Sequence, residues 1–280
     1  MTLDIPNAFV QMPISEDGDK GMMKISGPLV NILCEIHPGA YDNFVIHEGK
    51  QKVLYVRMLK ALSGMMIASI LYYKKFRKDI ESIGFEVNPY DICVANRTVN
   101  SKQHTVTWHV DDVKSSHVDP KVNDEFHTWC EQQYGSEETG HVTTVRGKQH
   151  DYLAMILDYS VDGVLKVDMR YYVDAMIKEF PYELKSKVTG PWTENLLKID
   201  KSAKSLNDER KKIFHTFVMK AMFLSKRGWP DVNHAISILS SRVKESNEGD
   251  WKKLLHVMNF LKNTRDDVLT LEADNSQEMK

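Results

Sequence analysis

The sequence predicts an α+β fold in two parts, a mixed first half and a helix-rich second half. Three observations predict it. Met65, Ala68, Tyr72, Phe76, Ile80 and Ile83 recur at helical spacing, and Gly84 stands where a C′ glycine ends a helix. Short apolar runs bounded by turn residues follow at 92–95, 105–110 and 113–116. Beyond residue 171 the apolar pattern is mostly helical.

Taken in order, residues 2–5 read as the end of a buried strand. Residues 11–53 are mixed, with turn signals at Asp17-Gly18, Pro38-Gly39 and Glu48-Gly49. They read as an insertion of short strands and helices, not as a core layer. The long helix follows Ser63-Gly64, and Lys74, Lys75, Arg77 and Lys78 lie mostly off its apolar stripe. Residues 92–95 and 105–110 read as two strands, with the polar stretch 96–102 as their turn. Residues 113–116 read as a third strand, joined tightly to the second across Asp111-Asp112.

Residues 124–134 suit a helix with Asn123 placed to cap it. Residues 152–159 suit a strand, Asp162-Gly163 a turn, and residues 164–167 the partner strand. Helices are expected over 171–180, 208–226, 231–243 and 250–261. The polar end, 275–280, reads as a frayed tail.

Composition narrows the class. A chain of 280 residues, 42% hydrophobic, can bury one large or two modest domains. The net charge of −2 lends no support to nucleic-acid binding, which needs local basic tracts whatever the total. Cys34, Cys93 and Cys130 form no CxxC pair. They argue against a disulfide framework or a zinc site and fit a reducing compartment. No apolar run reaches the roughly 18–20 residues of a membrane span. The opening MTLDIPNAF lacks the basic and apolar regions of a signal peptide. A soluble, intracellular protein is expected.

Chemistry is concentrated in acids. Asp4 ends an apolar strand-like segment, and Asp111-Asp112 lies between Val110 and Val113. A carboxylate pair at a tight turn exposes both acids at one sheet edge, where a third from a neighbouring strand can join them. Mg²⁺ takes oxygen ligands of this kind, and two such ions can serve an in-line phosphoryl transfer. By itself, an Asp-Asp pair after an apolar strand is more often an ordinary turn.

The surroundings of these acids resemble copia-type (Pseudoviridae) retrotransposon reverse transcriptases. LDIPNAF, residues 3–9, resembles the first catalytic motif, an acid four residues before Ala-aromatic. WHVDDVK, 108–114, resembles the aspartate-pair motif. LYVRMLKALSG, 54–64, resembles the segment leading to the template-contacting glycine. VRGKQHDYLAMILDYSVDG, 145–163, resembles the segment that closes the palm and begins the primer grip. RGWPDVNHAISILSSRVKESNEGDWKKLLHVMNFLKNTRD, 227–266, resembles the stretch that ends the polymerase region. The order matches, and the resemblance covers nearly the whole chain.

The resemblance implies a right-hand polymerase with a ferredoxin-like palm, partial fingers and a helical thumb. Residues 1–160 would be partial fingers and palm, with a fingers insertion at about 12–58. Residues 161–270 would be the thumb or connection, and 271–280 a tail toward an RNase H region. It implies RNA-directed DNA polymerase activity, with two Mg²⁺ ions, or Mn²⁺ in their place. Asp4, Asp111 and Asp112 would bind the ions, and the Ile5 carbonyl would complete one shell. Ala8, Phe9, Gly64 and Val110 would meet the nucleotide, with Phe9 obstructing a 2′-hydroxyl. His109 would neighbour the primer terminus, and Lys148 is a weaker candidate for protonating pyrophosphate.

Expected partners are a primed RNA or DNA template, dNTPs, and the RNase H and integrase regions of one polyprotein. The expected place is a cytoplasmic virus-like particle, with the nucleus as second compartment. Lys204, Arg210, Lys211, Lys212, Lys220, Lys226 and Arg227 are candidate phosphate contacts. Three features depart from the family pattern. Ser63 replaces an aromatic, the apolar run from Met65 to Ile70 replaces polar residues, and Ala154 replaces a frequent glycine.

The chain opens at the first motif, so a missing fingers half and an unpaired edge beside Asp4 are expected. A decayed or non-catalytic nucleic-acid-binding remnant is therefore the alternative. Another two-metal palm enzyme, of cyclase-like kind, would need a nucleotide-binding insertion unlike the last segment here.

Overall fold

A computed structural model describes residues 1–14 and 21–272. The predicted turn at Asp17-Gly18 and tail residues 273–280 lie outside the described residues. The fold is α+β, and the chain divides into two compact units, Met1–Val145 and Arg146–Lys280. Among the described residues no helix is long and apolar enough to cross a membrane.

The first unit runs β1 (Thr2–Asp4), β2 (Met22–Ser26), α1 (Pro28–Ile36), β3 (Ile46–Glu48), β4 (Gln51–Arg57) and α2 (Ala68–Ser82). It continues with β5 (Glu86–Val87), β6 (Val94–Val99), β7 (Lys102–His109), β8 (Asp112–Ser116), α3 (Pro120–Tyr134) and β9 (Thr143–Val145). One sheet has the order β5-β6-β7-β8-β1-β9. Within it β1, α2, β7, β8, α3 and β9 follow the β-α-β-β-α-β connection of a split βαβ motif. Residues 22–57 form a separate sheet, β2-β4-β3.

Both long helices cover one face of the large sheet. Tyr72, Phe76 and Ile80 of α2 and Phe126, Cys130 and Tyr134 of α3 pack with Leu3, Val106, Trp108 and Val113. Each such burial contributes roughly 1.5–3 kcal/mol. Side chains alternate along a strand, so His109, Asp112 and Asp4 fall on the other face. The stripe and its Gly84 stop match the expectation, with Gly84 at φ +89°. The helix starts at Ala68 instead of Met65, after turns at 63–67.

A buried polar chain joins this sheet to α3. Arg97 donates to Nδ1 of His104 at 3.2 Å, which assigns the other ring nitrogen as donor to Ser115 Oγ at 2.8 Å. Ser115 in turn donates to Asn123 Oδ1 at 2.7 Å. Burial, then the neighbouring Arg97 and His117, hold the His104 pKa down at about 4. Asn123 is thus spent in the core and caps nothing. The cap of α3 is Asp119, whose side chain accepts from the Lys121 amide.

Other expectations are corrected. The β6–β7 turn is only Asn100-Ser101, because Asn96, Arg97 and Thr98 are strand residues paired across to Thr105, His104 and Gln103. The edge of β1 is not open, since β9 pairs along its whole length. Three residues reading TTV gave no strand signal, yet a rung of that size is enough to cover the edge.

The second unit contains β10 (Gln149–Tyr152), β11 (Met155–Asp158), β12 (Val164–Asp168), α4 (Arg170–Glu179), α5 (Asp208–Ser225), α6 (Asn233–Ser241), α7 (Glu248–Asn263) and β13 (Leu269–Glu272). The expected strand 152–159 is two strands folded back at Leu153-Ala154, at φ +52° and +61°. The strand order is β10-β11-β12-β13. Residues 149–158 therefore belong with this unit, and the division falls at Val145/Arg146 rather than near residue 160. Leu271 and Glu272, expected in the tail, pair with β12.

Phe214, Val218, Ala221, Leu224, Ile236, Leu239, Leu254 and Met258 form the helical core. A capping box of Asn247 and Asp250 starts α7. Residues 184–200 have no regular structure but lie along α7, tied to its side chains. Lys253 donates to the Lys198 carbonyl at 2.7 Å and His256 to that of Gly190 at 2.9 Å. Asn259 accepts from the Ser186 amide at 2.9 Å, and Asn263 donates to the Ser186 carbonyl at 3.2 Å.

Candidate active site

Asp4 ends β1, Asp111 is the second residue of the β7–β8 hairpin tip, and Asp112 opens β8. In register, His109 faces Asp112, Asp112 faces Asp4, and Asp4 faces Thr143. The Ile5 amide donates to the Asp111 carbonyl at 3.1 Å. That bond ties the backbone just past Asp4 to the hairpin tip. Acids far apart along the chain thus meet at one end of one sheet.

The hairpin tip is strained. Val110 has φ +57°, while Asp111 keeps a negative φ. A two-residue turn with φ positive only at its first central position is the glycine-favouring II′ kind. A β-branched residue there is an outlier costing about 1–3 kcal/mol. The strain fixes the direction in which the next residue, Asp111, leaves the turn.

Electrostatics couple two of the acids. Lost hydration raises the Asp4 carboxyl above the ordinary aspartate range, and the charge of Asp111 raises it further. A cation beside the pair would offset both penalties by favouring the charged form. Among the described residues no three His, Cys, Asp or Glu side chains form a group that could hold a metal ion. An all-protein cage therefore does not fit. A Mg²⁺ ion held by one or two carboxylates and completed by substrate phosphate and water does fit. Asp112, half-buried and opposite Asp4 in the ladder, stands beside this pair.

The remaining candidates divide. Ile5 and Ala8 are buried, so only their backbone can face a ligand. Phe9 is half-buried, with its ring edge-on to Tyr72 at 6.3 Å. Gly64 has φ +92° and nothing near a Cβ position, so its glycine answers a backbone requirement rather than crowding. Lys148 lies in the second unit, exposed and paired with Asp162 at 3.1 Å, which suits a solvated loop lysine.

Of the candidate phosphate contacts, three are already engaged by side chains of this chain. Arg210 pairs with Glu248 at 2.5 Å and covers the Trp251 ring, Lys220 pairs with Glu179, and Arg227 lies over the Phe223 ring at 3.7 Å. Lys204, Lys212 and Lys226 are exposed, and Lys211 is half-buried.

The sequence shows Tyr72 only as a member of the α2 stripe. Its side chain is 1% exposed, yet its hydroxyl has no hydrogen-bond partner. Burial pushes its pKa far up, with further contributions from Cys130, Asp111, Asp79 and Asp4. It remains a neutral donor beneath Phe9. The one sequence sign was a tyrosine in a stripe that continues with Phe76.

Comparison with protein-family models gives no match, and comparison with curated proteins gives none either.

Proposed function

We propose that this chain is the core of an RNA-directed DNA polymerase, adding a nucleotide from a dNTP to a primer 3′-hydroxyl. The carrying observation is the meeting of Asp4 with the Asp111-Asp112 pair at one sheet end, through the Asp4–Asp112 register and the bond from the Ile5 amide to the Asp111 carbonyl. The β-α-β-β-α-β connection supports a ferredoxin-like palm, the sheet of residues 22–57 supports partial fingers, and the later helices support a thumb.

In this reading the primer 3′-hydroxyl gives up its proton to water and its oxygen bonds to the α-phosphorus, while the bond from that phosphorus to the α–β bridging oxygen breaks and pyrophosphate leaves with its electrons. Bound Mg²⁺, or Mn²⁺, would supply charge stabilisation at the attacking and leaving oxygens. Asp4 and Asp111 would hold the ion, with Asp112 beside them in the ladder. Val110 keeps the hairpin tip in its strained turn. The Phe9 ring, braced by Tyr72, occupies the space of a 2′-hydroxyl. Ile5 and Ala8 offer backbone to the nucleotide, and Gly64 sets the chain path toward the template. Lys148 is given no role. The partners are a primed RNA or DNA template and dNTPs, with RNase H and integrase regions of the same polyprotein. The proposed place is a cytoplasmic virus-like particle.

Primer extension on an RNA template with Mg²⁺ tests the reading. Incorporation by the wild type and its loss in Asp111→Asn are expected. Equal incorporation by both proteins would remove the proposal.

A second reading, a binding remnant without catalysis, is favoured by one observation. Met66 is 93% exposed, and Ile67 and Ile70 are also exposed, where the resembling family carries polar groups. It predicts hybrid binding with no incorporation by the folded wild type.

A further inference from the structure

A recess of about 470 Å³ lies between residues 191–200 and the first turns of α7. That volume is in the range of small-molecule sites. It uses no residue of the acid site. Its exposed apolar lining is Trp192 and Ile199, over the buried Leu196 and Val257, and its charge comes from Lys198, Lys252 and Lys253. Asp200 is the acid on this lining. Its carboxylate is held by the Ser202 hydroxyl and amide, which lower its pKa. The lining is therefore net positive.

The recess is preformed. Lys253 and His256 bond the carbonyls of Lys198 and Gly190, and the Asn247 amide group donates to the Asp200 carbonyl at 2.9 Å. These bonds fix the 190–200 wall to α7. Trp192 is 44% exposed, braced edge-on by His234 at 5.5 Å between ring centres. A large aromatic left half in solvent beside ammonium groups is the pairing that holds a base by stacking and its phosphate by charge. A purely apolar ligand would leave the lysines unused, and a bare anion would leave the indole unused.

We infer that this recess binds one nucleotide of a single-stranded nucleic acid, with the base on Trp192 and the phosphate toward Lys198 and Lys252. The site needs none of the chemistry of Asp4 and Asp111. A strand held here would be gripped by the second unit independently of catalysis.

The test is photo-crosslinking of the whole chain to a short oligothymidylate carrying iododeoxyuridine, with peptide mapping, alongside anisotropy titrations. Crosslinks are expected within residues 190–200 or 249–257. Trp192→Ala is expected to weaken binding roughly fivefold or more, while Trp192→Phe retains most of it. Lys252→Ala should lower the slope of log affinity against log salt by about 0.7. Unchanged affinity in Trp192→Ala, or crosslinks confined to other peptides, would overturn the inference. Binding of free dTTP with none of the oligonucleotide would overturn it as well. Asp111→Asn should leave the crosslinks in place, so failure here and failure of the polymerase reading are separable.

Discussion

Two hairpin tips in the large sheet differ in a telling way. The β6–β7 tip is Asn100-Ser101, at φ +51° and +61°. Asparagine and serine are small polar residues, and asparagine takes a left-handed conformation at little cost. The β7–β8 tip puts Val110 at φ +57°, where a β-branched residue is strained. The relaxed tip carries no candidate chemistry, and the strained one carries Asp111. Strain alone does not mark function, since the Leu153-Ala154 tip also has positive φ and carries no candidate acid; at Val110 it sets how a candidate acid is presented.

Four experiments break or sharpen that contrast. The largest effect belongs to Asp111→Asn, which should lower primer extension about a thousandfold or more, roughly 4 kcal/mol of barrier. Asn100→Asp at the other tip should leave extension unchanged. Equal effects at the two tips would end the contrast.

Next is acid sensitivity in the β7 stem. His104 has a folded pKa of about 4 against 6.5 for the free group. The unfolded chain binds the proton first, so stability is complete above pH 6.5 and falls as pH drops toward 4. The loss is at most about 3 kcal/mol. Urea melts of wild type and His104→Gln across this range measure it. A wild-type midpoint independent of pH would contradict the neutral buried imidazole.

Phe9→Ala should admit ribonucleotides, reducing discrimination by about tenfold or about 1.4 kcal/mol. Competition between rNTP and dNTP in primer extension gives the ratio. Unchanged discrimination would leave Phe9 as core alone.

The smallest effects come from glycine at the turns. Val110→Gly should raise stability by about 1 kcal/mol and lower extension, as strain is exchanged for a looser acid. Ala154→Gly should gain about 0.5 kcal/mol, and Asn100→Gly should change it by less than that. Denaturation midpoints rank the three. A destabilised Val110→Gly would show that the valine's packing outweighs its backbone cost.

What was readable in the sequence follows from what periodicity can carry. The α2 stripe was plain because Tyr72, Phe76 and Ile80 all face one core. The acids were visible as residues, but only register places Asp112 opposite Asp4. The β6–β7 stem was hidden because its outward residues are polar and pair with one another. Gln103 and Thr105 both donate to Asn96, for example. Neither residue of the Leu153-Ala154 reversal is a turn former, and only the departure noted at Ala154 pointed to a tight backbone there. Engaged cations such as Arg210 and Arg227 could not be told from solvated ones, since charge does not reveal its partner. The recess by Trp192 was invisible because its wall has no period at all.

The tethering of residues 184–200 to α7 has a kinetic consequence. A connection without regular structure ordinarily opens early and offers proteases an easy cut. Here its carbonyls at Gly190 and Lys198 and its amide at Ser186 are held by α7. Release of this segment must therefore wait for that helix to loosen, and the two should lose hydrogen-exchange protection as one cooperative piece.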